Sequence, residues 1–280
     1  MPRFKVFSPG PLPIAAVLFL ASLQGCTHKS PAPVAQATKN PAAVSAAGVV
    51  PAPPPLIEQP ALDRLKAMSR KLADTARFTY RARSTLEIPA RTGQFLTHFA
   101  ESEVALHRPD KLRFSLSGEV PNFRLYYDGT HVYALDVDKN LFATAEAPVT
   151  IDEMLPFVLD KVGIDLPAAD FLFSDPYAEL TKGLTHAIVV GPSRVNGVKT
   201  EHFAFMNPES NWEIWIDTGP VPLPRRVAVT YKALENFPRF QIEFLDWNLT
   251  PRADIKQFEF RKPPGAKEIE FGSGLNKGGL

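Results

Sequence analysis

The stretch Asn211–Tyr231, NWEIWIDTGPVPLPRRVAVTY, decides how the chain is read, because it holds two runs of alternating side chains joined by a proline-rich turn. Trp212, Ile214 and Ile216 alternate with Glu213, Trp215 and Asp217, and Val227, Val229 and Tyr231 alternate with Arg226, Ala228 and Thr230. Side chains on a strand alternate faces, so this is the signature of a hairpin with one buried face. Trp215 sits among charged neighbours, and which of the two indoles faces inward depends on register, since a one-residue slip exchanges the faces.

Working toward the N-terminus, the same period recurs. Strands are expected at 77–88, 94–108, 111–117, 123–128, 131–137 and 141–147, with Asp128-Gly129 and Asp138-Lys139-Asn140 as turns. Toward the C-terminus they are expected at 185–195, 199–206, 240–249 and, briefly, 258–260. Pro60 opens a helix carrying Leu62, Leu65, Met68, Ser69, Leu72 and Ala76 on one stripe. A second helical region interrupts the strands: Thr150-Ile-Asp-Glu153 reads as a capping box, Ile151, Met154, Leu155 and Val158 follow, and Gly163 ends the run. Apolar short turns between Leu166 and Gly183 extend this insert. The expected fold is α+β: a strongly curved, half-open antiparallel β-barrel of about ten or eleven strands, covered by an N-terminal helix and a helical insert.

The first 59 residues have a different texture. Arg3 and Lys5 precede an apolar run, Ile14–Leu23, of export-signal length. Leu23-Gln24-Gly25-Cys26 resembles a bacterial lipobox, with Gln24 departing from the small residue usual there, and Cys26 is the only cysteine. The resemblance implies cleavage before Cys26 and acylation of its sulfur, which holds a chain stably on a membrane. Thr27 in place of Asp points to the outer membrane. Residues 27–59 are rich in Pro and Ala and nearly free of charge, and they read as a tether. The organisation expected is therefore a signal peptide at 1–25, acylated Cys26 and tether at 26–59, a barrel domain at 60–269 and a flexible tail at 270–280.

Chemistry is sparse. The net charge is +1, which gives no field for nucleic acid. Asp136-Val-Asp138-Lys-Asn140 opens like a calcium loop, but Leu141 and Ala147 stand where such a loop needs Gly and a bidentate Glu. The six histidines show no paired metal-ligand spacing, and no hydrolase elbow or phosphate loop occurs. No catalytic residue, metal site or cofactor is expected.

Between Ala61 and Ile269 the chain resembles a bacterial family of predicted periplasmic proteins related to the lipoprotein carrier LolA and its acceptor LolB. The matching runs include Arg108-Pro-Asp-Lys-Leu-Arg113, Tyr126-Tyr-Asp-Gly129, Gly163-Ile-Asp-Leu-Pro-Ala-Ala-Asp170, Trp212-Glu-Ile-Trp-Ile-Asp217 and Pro222-Leu-Pro-Arg-Arg226. The resemblance implies a lidded half-barrel whose cavity holds acyl chains, with a basic residue controlling the lid; Arg77, Arg81 and Arg83 are where its equivalent is sought. Candidates for the cavity lining are Phe114, Leu125, Tyr127, Trp212, Trp215, Phe240 and Phe244 from the sheet, and Met154, Phe157, Phe171 and Phe173 from the helices. Packed core is the alternative for the same residues. Two functions follow: a non-enzymatic, outer-membrane-anchored binder of an acyl chain, lipid or lipoprotein, or a structural or sensing module that recognises an envelope protein. Nucleic acid is not an expected partner.

Overall fold

A computed structural model describes residues 54–271. The export signal, Cys26 and most of the expected tether therefore lie outside the described residues. Helix α1 (Gln59–Ala73) carries Pro60 in its first turn, where the missing N–H costs nothing. Its buried stripe is Ala61, Leu65, Met68, Ser69 and Leu72.

The strands are β1 (Leu56–Ile57), β2 (Arg77–Pro89), β3 (Phe95–His107), β4 (Lys111–Gly118), β5 (Phe123–Tyr127), β6 (His131–Asp136), β7 (Leu141–Glu146), β8 (His186–Val195), β9 (Val198–Met206), β10 (Ser210–Asp217), β11 (Pro224–Tyr231), β12 (Arg239–Asn248) and β13 (Lys267–Glu268). They form one open sheet of 13 strands in the order β1-β8-β9-β10-β11-β12-β2-β3-β4-β5-β6-β7-β13. Pairing is antiparallel except at the two edges, where β1 adds to β8 and β13 to β7 in parallel. Such two-residue strands leave little backbone on which another chain could pair.

The two edge strands, β1 and β13, were not legible, and one expected strand is absent from the described residues. Leu56 and Ile57 fall in the stretch expected as tether, and they are exposed, so they join the sheet through backbone hydrogen bonds rather than through a buried face. Phe258–Phe260 is not a strand. Ile255–Phe258 is a 3-10 turn capped by Asp254, and Phe260 instead packs on Tyr133 and Phe142. The chain beyond, expected as a free tail from 270, still packs Phe271 against the core.

Because β7 and β8 lie at opposite edges, the insert between them must carry the chain from one edge of the sheet to the other. It consists of α2 (Ile151–Phe157), a π-helical turn (Val158–Val162) closed by left-handed Gly163, a 3-10 turn (Ala169–Phe171) and α3 (Pro176–Leu180). Thr150 caps α2 by accepting from the Glu153 amide at 3.3 Å, as the sequence indicates. Asp175 caps α3 in the same way.

Sheet faces follow the alternation. On one face Phe78, Tyr80, Leu112, Phe114, Leu125, Phe203, Phe205, Trp212, Ile214, Val227, Val229, Ile242 and Phe244 are buried in a single apolar cluster, together with the α1 stripe and Ile151, Met154, Leu155, Phe171 and Leu172 of the insert. The other face carries the charged members of the same strands.

Candidate functional site

The inner face of the sheet and the insert that meets it form the candidate site. Trp212 lies there, 1% exposed, stacked on Phe205 with ring centres 4.1 Å apart. Phe114, Leu125, Tyr127, Met154, Phe171, Phe240 and Phe244 belong to the same cluster, with Phe157 and Phe173 packed against it. Phe171 meets Phe244 edge-on at 5.4 Å, a direct contact between the insert and β12. The Tyr127 hydroxyl donates to the Pro148 carbonyl at 2.5 Å, which satisfies its polar end where the chain leaves the sheet for α2. Burial and nearby carboxylates push this phenol up to about 12.

Trp215 does not share that interior. It packs with Val195 and Ala228 in a separate small cluster, stacks on His202 at 4.1 Å and lies 5.4 Å from the Arg226 guanidinium. The reason is register: Trp212 pairs with Val229 and Phe205, whereas Trp215 pairs with Arg226 and His202, three residues on and so on the opposite face.

Trp247 is an inner-face residue that alternation conceals. Phe240, Ile242 and Phe244 point inward, so Asp246 should follow them, but Asp246 has a left-handed backbone (φ 50°) and the β12–β2 register shifts between Leu245 and Asn248. The bulge turns Asp246 out to Arg81 and brings Trp247 onto Tyr80 (4.6 Å), Phe78 and Phe244 (both 5.6 Å). A left-handed Asp is tolerable, and nothing in the local sequence marks the site apart from that residue type.

The insert is fastened by Arg108, at the end of β3, and by Asp152. The Arg108 guanidinium donates to the carbonyls of Leu172 (3.0 Å) and Phe173 (2.8 Å). Its burial pulls the pKa below the ordinary arginine value, with Asp152 opposing that shift. Asp152 accepts from the Ser174 amide at 2.8 Å and from its hydroxyl, tying α2 to the segment before α3. Arg81 and Arg83, sought as lid-controlling residues, instead lie on the outer face with Asp246 and Glu101. Arg77 pairs across strands with His107 and makes no described contact with the insert. Arg108 stands in the Arg108–Arg113 run, so the signal was present in a motif rather than in a strand pattern.

Within the insert a cleft of about 450 Å³ is lined by apolar Leu155, Pro156, Leu159, Ile164, Leu166 and Phe173 and by charged Asp152, Asp165, Asp170, Glu179 and Lys182. Leu155 and Leu166 belong to the barrel's apolar cluster, and Ile164 and Phe173 pack against it, so the cleft adjoins the interior. Asp170 is 5% exposed, and burial, reinforced by Glu179, raises its carboxyl to about 7. The calcium-like run is a hairpin turn: Asp136 accepts from the Lys139 amide and Asp138 holds Asn122.

The described residues form a large, open, mostly antiparallel sheet of 13 strands with a few helices, the arrangement expected of a half-barrel. The chain belongs to the family described as predicted periplasmic protein (DUF2092), whose model matches residues 61–272. Among solved structures it is similar to the Mycobacterium tuberculosis lipoprotein LppX (12% identity, 70% of this chain and 100% of that one, TM-score 0.44). It is also similar to a LolA superfamily protein from Nitrosomonas europaea (9% identity, 72% and 97%, TM-score 0.36) and to MucB in its complex with MucA(peri) (15% identity, 72% and 60%, TM-score 0.37). No curated protein matches the chain.

Proposed function

We propose that this protein is a non-enzymatic envelope lipoprotein that binds an acyl chain, a lipid or a lipoprotein in the cleft its insert forms beside the inner face of its half-barrel. The observation that carries the reading is the insert cleft: a volume of about 450 Å³, one side lined by Leu155, Pro156, Leu159, Ile164, Leu166 and Phe173, charged groups (Asp152, Asp165, Asp170, Glu179 and Lys182) on the rest of its lining, and Leu155 and Leu166 shared with the sheet's own apolar cluster. That volume lies in the range of small-ligand pockets, roughly 300–1,000 Å³, and its apolar side suits hydrocarbon. The insert acts as a lid, α1 covers the remaining part of the interior, and Arg108 is the latch. Leu172 and Phe173, whose carbonyls it holds, border the cleft and core, so releasing two charge-assisted hydrogen bonds would free that wall. Upstream, residues 1–25 direct export, Cys26 carries the acyl chains, and the Pro/Ala-rich stretch before β1 spans the distance from the outer membrane to the domain on its periplasmic side.

A second reading has its own support. Trp212, Tyr127, Phe114, Phe171 and Phe203 are among the largest fully buried side chains, and an interior filled by such groups suits a closed structural or sensing module that meets an envelope protein through its surface. Native mass spectrometry of residues 54–280, purified without detergent, separates the two. Co-purifying acyl lipid, lost in Leu159→Asp, supports the binder; an empty domain that also leaves a fluorescent fatty acid unbound supports the module. Metabolic labelling with a palmitate analogue should tag the full chain and not its Cys26→Ala variant, and no label on either would overturn the anchor.

A further inference from the structure

The outer face of the sheet carries cross-strand rows of charge, and several members are paired. Arg226 donates to Glu243 at 2.9 Å, Arg83 to Glu101 at 3.0 Å and Arg81 to Asp246 at 2.7 Å. The pattern breaks at β4–β5. Arg124 pairs across the strands with Ser115 rather than with an acid, and among the described residues it makes no ion pair. Arg113, one pleat along β4, reaches Glu103 only at 3.9 Å, with both side chains well exposed. These residues line a polar cleft of about 370 Å³ on the outer face, floored by Ser115 and Ser117 and bordered by Arg81, Arg83, Glu101 and Glu103. Four arginines therefore face two glutamates there, and two of the four are committed to Asp246 and Glu101.

Elementary geometry then decides what fits. Ser115 and Arg124 are directly opposed, with Cβ atoms about 5 Å apart, and Arg113 stands at the diagonal position about 7–8 Å from Arg124, so the three side chains rise from neighbouring points of one cleft and their long heads can converge on a single small anion. Two guanidinium forks and a hydroxyl supply donors only on the charged sides, and a tetrahedral oxyanion offers an oxygen to each. Glu103 is the gate. It holds Arg113 loosely and repels an anion, so a bound oxyanion would draw Arg113 away from it.

We infer that Arg113, Ser115 and Arg124 form an oxyanion site on the outer face of the half-barrel, suited to a phosphate group. Free phosphate and the phosphomonoester of an anionic lipid headgroup share this chemistry. The site is separate from the apolar interior and does not depend on the ligand proposed for it.

The test is calorimetric titration of the full chain in neutral maltoside micelles at low ionic strength, with inorganic phosphate in one arm and glycerol 3-phosphate in the other. Both should bind, with tighter glycerol 3-phosphate marking a headgroup as the source and tighter inorganic phosphate marking the free anion. Arg124→Ala and Arg113→Ala should each weaken binding about tenfold, Glu103→Gln should tighten it, and Arg226→Ala, whose guanidinium is held by Glu243 outside the cleft, should leave it unchanged. All four positions lie on the outer face, so an unaltered thermal transition confirms intact folding. Absence of binding to the unmodified chain, or binding that survives the Arg113→Ala/Arg124→Ala double substitution, would overturn the site.

Discussion

Trp212 and Trp215 are three residues apart on one strand, yet they live in different chemistry. Trp212 is part of the main apolar cluster, stacked on Phe205 and paired with Val229. Trp215 is 9% exposed, sandwiched between His202 and the Arg226 guanidinium, with only Val195 and Ala228 as apolar companions in its cluster. The two faces of the sheet differ in the same sense along the other strands: hydrocarbon and aromatic rings inside, cross-strand ion pairs outside. A face buried against helices gains by transfer of apolar area from water, whereas exposed ion pairs contribute little stability and mainly fix register and solubility.

Substitution at the two indoles is the most direct way to break this comparison. Trp212→Ala should cost about 3–5 kcal/mol, as large-to-small changes in a packed core do. Trp215→Ala should cost less than half as much, because its cluster is small and a cation–π contact at a partly exposed site adds only about 0.5–1 kcal/mol. Urea unfolding of both variants checks the ratio; equal losses would mean that the outer cluster is as much a core as the inner one.

Titration sharpens the same contrast. Asp170 is buried and its carboxyl is raised to about 7, so the folded state favours the protonated form. Stability linked to this group is fully present at pH below the ordinary carboxylate value and is lost as pH rises toward about 7. Glu243 on the outer face runs the other way. Burial alone would raise it, but hydrogen bonds from Asn196 and Arg226 outweigh that and hold it below its ordinary value. Its contribution is present above the unfolded-state value and is lost as pH falls through the folded one. Asp170→Asn should therefore stabilise the protein at pH 8 by up to about 4 kcal/mol and flatten the decline between roughly pH 4 and 7. Denaturation midpoints of the two proteins across that range measure it, and parallel curves would sink the assignment.

The Arg108 latch comes next in size. Arg108→Met removes two charge-assisted hydrogen bonds and should cost about 2 kcal/mol. Hydrogen exchange should quicken at residues 166–183 while the amides of β2–β5 stay protected. Uniform acceleration would show a general fold effect instead of a local latch. The smallest effect is expected outside: Arg81→Ala, which breaks an exposed pair with Asp246, should leave the urea midpoint nearly unchanged, and any shift should shrink further at high salt.

Much of the sheet was readable because period-2 alternation is a local property. The strands β2 through β12, to within about a residue at their ends, the Thr150 cap, and Leu65, Met68, Ser69 and Leu72 of the α1 stripe follow from side-chain spacing and cap chemistry, whereas Ala61 takes the place expected for Leu62 and Ala76 lies exposed beyond the helix. Leu56–Ile57 and Lys267–Glu268 could not be read, because two-residue edge strands are held by backbone pairing with distant segments and need no particular side chains. Most lining candidates fell together on the inner face, whereas Trp215 did not, and Trp247 was concealed by the bulge at Asp246.

The sequence by itself determined the class of the fold and the segregation of apolar from charged side chains on each strand, since both are written in spacings of two and three to four residues. Tertiary structure alone decided which indole faces the interior, that Arg108 rather than Arg81 or Arg83 holds the insert, and that Arg124 has no acid opposite it. Those facts depend on register and on contacts between segments tens of residues apart, which no local periodicity encodes.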